Sequence, residues 1–94
     1  MGIGKKFRMK LKEGIYKHYK GSLYEVLMTA QHSETEEWMV VYKALYGEEG
    51  IWVRPYDMFI ETVIIEGKEV GRFVYVGNES EITWIKVRYK SLFI

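Results

Sequence analysis

The stretch QHSETEEWMVVYKALYG, residues 31–47, reads in two ways, and the fold follows from the choice. As a helix, Ser33 and Glu36 have capping-box spacing, and Trp38, Val41, Tyr42 and Leu45 recur at i, i+3, i+4 and i+7. Gly47 then stands where a C-cap would. As a strand, Val40, Tyr42 and Ala44 share one face. Met39, Val41 and Leu45 share the other, with Lys43 the one interruption. Periodicity alone does not separate these readings. The Val40-Val41-Tyr42 centre favours the strand, because β-branched side chains lose rotamer freedom in a helix. His32-Ser33-Glu34-Thr35 is then a hairpin connection, in which hydroxyl groups can bond nearby backbone.

The flanking segments carry the same signal. KKFRMKLKE alternates, with Phe7, Met9 and Leu11 opposite Lys6, Arg8, Lys10 and Lys12. GIYKHYKG is a short segment bounded by glycines, with a turn at Lys20-Gly21-Ser22, and LYEVLMTAQ follows as a strand. GIWVRP is another strand, ended by Pro55, and PYDMFIE suits one helical turn near 55–61. TVIIEGKEVGRFVYVG reads as a hairpin around Glu66-Gly67-Lys68. ITWIKVRYKSLFI alternates again, placing Ile85, Val87 and Tyr89 opposite Lys86, Arg88 and Lys90. Six or seven short strands with little helix predict an all-β protein, a small barrel or sandwich.

Ninety-four residues make a single domain, 1–94, with a thin core. There is no cysteine, which excludes a disulfide framework and thiol chemistry. No stretch has the length of a bilayer span, the start lacks the apolar run of a signal peptide, and Lys6 stands where a myristoylation signal wants Ser or Thr. A cytoplasmic protein is expected. The net charge of +1 hides an asymmetry. Residues 1–22 carry seven Lys/Arg and one Glu, whereas residues 23–71 carry three Lys/Arg and ten Asp/Glu.

Catalysis finds little support in these residues. A Ser–His–acid triad needs the imidazole to reach the hydroxyl, and adjacent strand residues such as His32 and Ser33 point to opposite faces. His18 and His32 have no metal-site spacing, so neither metal nor cofactor is expected. A small hydrolase or transferase using His32, Glu34 and Arg54 stands as a third reading. Binding fits better. Tyr16, Tyr19, Tyr24, Tyr42, Tyr46, Trp38 and Trp52 exceed what so small a core holds, unless they serve as core and cross-strand pairs. The leading expectation is protein or peptide recognition through an aromatic face and the 31–37 loop. Its candidate residues are His18, Tyr19, Lys20, His32, Ser33, Glu34, Tyr46, Trp52 and Arg54. The alternative is nucleic-acid binding through basic terminal strands at about 5–12 and 82–93, using Lys6, Arg8, Lys10, Lys12, Lys86, Arg88 and Lys90. The same lysines would also guard sheet edges, or the strands would pair two copies into a homodimer.

The segments YKHYKGSLYEVL (16–27), AQHSETEEWMVVYKALYG (30–47), GIWVRP (50–55), MFIETV (58–63) and GKEVGRF (67–73) resemble, in order and spacing, a bacterial family known as domain of unknown function 1653. The resemblance covers residues 16–73. It implies a small SH3-like barrel, agrees with the strand reading of 37–46, and implies no particular activity. The chain departs from the family pattern at Gly71, where proline is common.

Overall fold

The computed structural model describes residues 11–88. Its strands are β1 (Gly14–His18), β2 (Leu23–Gln31), β3 (Trp38–Ala44), β4 (Ile51–Pro55), β5 (Thr62–Ile65), β6 (Lys68–Gly71) and β7 (Phe73–Gly77). Helix α1 (Tyr56–Ile60) follows β4. A 3₁₀ turn (Glu79–Glu81) leads into helix α2 (Ile82–Arg88). One antiparallel sheet has the order β4-β3-β2-β1-β7, and β5 and β6 form a separate hairpin. The all-β expectation is met. The closed barrel is not: β4 and β7 are opposite edges of an open sheet among the described residues.

The opening stretch is a strand from Trp38, and its inward side is the one the alternation assigns, with Val40, Tyr42 and Ala44 buried. The turn before it is built by side chains. His32 Nδ1 accepts from the backbone N–H of Glu34 at 3.1 Å and of Thr35 at 3.3 Å, and Thr35 Oγ1 accepts from the N–H of Glu37 at 3.1 Å. Glu36 takes a left-handed φ of 64° to bring the chain round. Ser33 and Glu36 therefore belong to a hairpin loop rather than a helix start.

The sheet has two covered faces, because residues directly opposite in an antiparallel pair point to the same side. Tyr16, Val26, Val40 and Tyr42 form one buried group, closed by Phe59 of α1 and flanked by Tyr24, Phe73 and Tyr75. Ile15 and Leu23 form the other, closed by Ile85 of α2 with Leu45 and Val76 beside it. A bulge in β2 between Val26 and Met28 shifts the alternation, so Thr29 rather than Met28 returns to the α1 side. Gly14 has a φ of 135°, and a Cβ there would lie 2.8 Å from the Gly77 carbonyl oxygen, so the β1–β7 approach requires glycine. In the β5–β6 hairpin Glu66 and Gly67 both have positive φ, the conformation of a two-residue primed turn.

Two expectations are corrected. The second strand of the 62–77 hairpin is two strands: the chain bends at Arg72 and passes from β6 to the main sheet, with Tyr19 N–H bonded to the Arg72 carbonyl at 2.9 Å. Residues 82–88, read as an added strand, form α2. Asn78 and Glu81 start it, Asn78 N–H bonding Glu81 Oε1 at 2.9 Å. Ile85 then drops into the apolar hollow that the sheet's second face would otherwise expose. The expected basic strand at 5–12 lies almost wholly outside the described residues, and Leu11 and Lys12 are not in a strand.

Candidate binding site

At the end of β1 the pairing sets His18 directly opposite Phe73 of β7, and Tyr24, the second residue of β2, lies beside them. The rings meet. His18 lies 4.8 Å from Phe73, edge to face, and 6.3 Å from Tyr24, while Tyr24 lies 5.6 Å from both Phe73 and Tyr46. Tyr24 and Tyr46 share a hydroxyl-to-hydroxyl hydrogen bond of 2.8 Å. Below them Phe73 stacks on Phe59 at 4.0 Å, and Tyr42 packs against Tyr24 and Phe59 at 5.5 Å. The face is thus the outer layer of the core on the α1 side. It is rigid because each of its rings is held by a ring beneath or beside it.

Cations rim this surface. The Arg54 guanidinium sits 5.7 Å from the Phe73 ring centroid, and its Nε approaches the Tyr42 hydroxyl at 3.5 Å, a long contact. Arg72 lies 5.8 Å from the Tyr19 ring and donates both Nε, at 3.0 Å, and Nη2 to one carboxylate oxygen of Glu61. Lys20 is exposed beside Tyr19. Burial first, and then Arg72, Arg54 and Lys20, hold the His18 pKa below its ordinary 6.5. Its Nδ1 accepts from the Lys20 backbone N–H at 3.1 Å, so in the neutral ring Nε2 carries the proton and is a donor. Burial, with the Tyr46 hydrogen bond second, raises the Tyr24 pKa, and the hydroxyl stays protonated.

A stability consequence follows from His18. Its folded-state pKa lies below the unfolded one, so the unfolded chain takes up the proton first and acidification through 6.5 favours unfolding. Above that pH His18 contributes no slope. Urea titrations at pH 7.5 and 5.5 are expected to show wild type losing more stability on acidification than His18→Gln. Equal losses in the two proteins would refute the assignment.

The expected site residues divide. His18, Tyr19, Lys20, Tyr46 and Arg54 are brought to this face. His32, Ser33 and Glu34 are not: their turn joins the far ends of β2 and β3, whereas Tyr24 and Tyr46 lie at the near ends. The His32 lone pair is occupied in that turn, and Arg54 is directed to Tyr42 and Phe73, so the three groups of the catalytic reading do not converge. Trp52 pairs opposite Tyr42 but is largely exposed on the edge strand. Phe73, Arg72 and Glu61 belong to the site and were not expected. Their signal in the sequence was the Arg-Phe pair ending GKEVGRF, which becomes a site only when the chain bends at Arg72. Of the alternative basic set, Lys6, Arg8, Lys10 and Lys90 lie outside the described residues. Lys12 sits 4.4 Å over the Tyr75 ring, Arg88 is exposed on α2, and Lys86 is also on α2, so residues 82–88 offer no strand face for them to share.

Beside the aromatic face, His18 and Tyr19 also line a cavity of about 560 Å³ between the β5–β6 hairpin, β7 and α2. Ile65, Val70, Val74 and Trp84 form its apolar walls. Among the described residues no helix is long and apolar enough to cross a membrane.

A family model described as Protein of unknown function (DUF1653) matches residues 14–75, the span from β1 into β7 that holds the whole aromatic face. The chain belongs to the DUF1653 family. A crystal structure of another DUF1653 protein, from Bordetella bronchiseptica, is similar with a TM-score of 0.68 and 38% identity, over 73% of this chain and 91% of that one. No curated protein matches. Helix α2 lies beyond the matched DUF1653 span, and with it one wall of the cavity.

Proposed function

We propose that the protein is a binding module that takes a protein or peptide segment on its aromatic face, with Arg54 receiving a carboxylate of that segment. One observation carries this reading. Arg54 is only partly exposed, yet among the described residues no carboxylate lies within ion-pair distance of it. A guanidinium held over an aromatic ring with no carboxylate beside it is a ready partner for an incoming anion. Arg72, by contrast, is matched by Glu61. The neutral His18 offers an Nε2–H donor close to Arg54, and Tyr24, Tyr46 and Phe73 supply flat apolar area for the neighbouring side chain. The adjoining cavity of about 560 Å³ falls within the usual range of ligand pockets, about 300–1,000 Å³, and has room for more than one side chain of the segment. The 31–37 turn has no part in this contact.

The test uses N-acetyl-phenylalanine and its amide as minimal probes in an amide-resonance titration. The acid is expected to shift the resonances of His18, Tyr24, Arg54 and Phe73 and the amide to leave them in place. Arg54→Gln is expected to weaken the acid about tenfold or more, since a charge-assisted hydrogen bond contributes roughly 1.5–3 kcal/mol. Glu34→Gln is expected to change nothing. Equal shifts with acid and amide would remove the carboxylate from the reading. Shifts confined to other residues would remove the site.

A further inference from the structure

Strand β4 is an edge of the main sheet, and Ile51, Trp52 and Val53 expose 63%, 59% and 60% of their surface on it. Natural edge strands are ordinarily short, charged, bulged or covered, because their free N–H and C=O groups template pairing with another chain. Over Ile51–Pro55 only Arg54 is charged. The opposite edge differs. The hairpin strand β6 and Trp84 of α2 stand beside β7 and share its cavity, so an incoming strand meets obstruction there.

The hydrogen-bond phase of β4 tells which groups face out. Ala44 N–H donates to the Gly50 carbonyl at 2.9 Å, so Ala44 and Gly50 are a bonded pair. Bonded and non-bonded pairs alternate along an antiparallel ladder. With Tyr42 opposite Trp52 and Val40 opposite Arg54, those pairs are also bonded and turn inward. Ile51 and Val53 therefore direct their N–H and C=O away from β3. Pro55 falls opposite Met39 at a non-bonded position, so its missing N–H is on the outward side.

We propose that β4 pairs antiparallel with β4 of a second copy of this chain, about a two-fold axis at Val53. In that register each Val53 N–H donates to the Val53 carbonyl of the other copy. Each Ile51 N–H donates to the other copy's Pro55 carbonyl, so proline is asked only to accept. The same register sets Trp52 directly opposite Arg54 of the second copy, on the same face, which is the arrangement of a cross-strand cation–π pair. It joins the edges of two aromatic faces. An axis at Ile51 instead would run Val53 into the turn at Glu48-Glu49, where the backbone has left the strand and Glu49 has a φ of 55°. An axis at Trp52 would leave Arg54 opposite Gly50, with no ring across from it, and an axis at Arg54 would set two guanidinium groups directly opposite each other. The backbone phase turns Ile51, Val53 and Pro55 outward, and among the registers that phase allows the side chains select the axis at Val53. This inference goes beyond the ligand reading and stands whether or not that reading holds.

The test uses the full chain, which has no cysteine of its own. Wild type is expected to sediment as a dimer at micromolar concentration. Val53→Cys is expected to cross-link to itself under mild oxidation, because position 53 meets itself across the axis. Ile51→Cys is not expected to, since position 51 meets Pro55, and neither is Val74→Cys on the other edge. Val53→Lys, at a side chain already exposed, is expected to give a monomer with an unchanged circular dichroism spectrum. A wild-type monomer would overturn the proposal and leave the edge for a strand of another protein. So would a dimer that cross-links through position 74 or survives Val53→Lys.

Discussion

Phe59→Ala is expected to lower the stability of the chain by about 3–5 kcal/mol, the range for removing a buried phenylalanine. Phe59 is 1% exposed, and it is the residue by which α1 is buried. That helix is five residues long and has no side-chain N-cap, and Pro55 precedes it with an extended backbone. Helices this short do not persist in water without tertiary packing. The ring also stacks on Phe73 and meets Tyr16 edge to face at 5.5 Å. Its loss therefore uncovers the sheet and removes the support under the aromatic face in one step. For a domain of this size each kcal/mol moves the melting temperature by roughly 4–8 °C, so the shift is large. Phe59→Leu, which keeps most of the volume, is expected to lose less than half as much. A fall of under about 1 kcal/mol for the alanine variant, measured by urea unfolding, would mean that α1 is not seated on the sheet.

Much of this architecture was legible because β-strand chemistry is local. The strand over 38–44 follows from Val40, Val41 and Tyr42, and the turn before it from the hydroxyl and imidazole groups of residues 32–35. The hairpin around Glu66-Gly67 is equally local. The helix over 82–88 was not legible. The spacing of Ser33 and Glu36 and that of Asn78 and Glu81 both suit a helix start, yet only the second makes one. What separates them is outside either segment. Strand β3 finds partners on both sides, in β2 and β4, whereas residues 82–88 find a hollow beside Ile15, Leu23 and Val76 that receives Ile85. Alternation in ITWIKVRYK was real, but the β7 edge that precedes it has the β5–β6 hairpin standing beside it. The site divided in the same way. His18, Tyr19 and Lys20 are contiguous and were visible together, while Phe73 and Arg72 join them only through the pairing of β1 with β7 and the bend between β6 and β7.

The second large effect is expected at Ile85, where alanine should remove about 2–5 kcal/mol. Ile85 is 0% exposed, and the other described side chains of α2, Thr83, Trp84 and Arg88, are exposed. Ile85 is the buried one among the described side chains of this seven-residue helix, so the helix should melt when it is cut back, and the helical part of the circular dichroism signal should fall with it. Trp84 would leave the cavity wall, and its fluorescence should shift to the red. The seat of Ile85 can be tested from the other side. A Cβ at Gly77 would stand 2.9 Å from Ile85 Cδ1 and 3.0 Å from Glu81 Oε1, the oxygen that holds the Asn78 N–H. Gly77→Ala should therefore destabilise wild type by displacing both groups. In the Ile85→Ala background the apolar conflict is gone, and the same substitution should do less damage. Non-additivity of this sign would place the side chain over Gly77, where the two halves of the helix start meet the sheet. Additive losses would mean that α2 is docked through other residues, and the cavity beside His18 would then lack the wall that Trp84 is taken to supply.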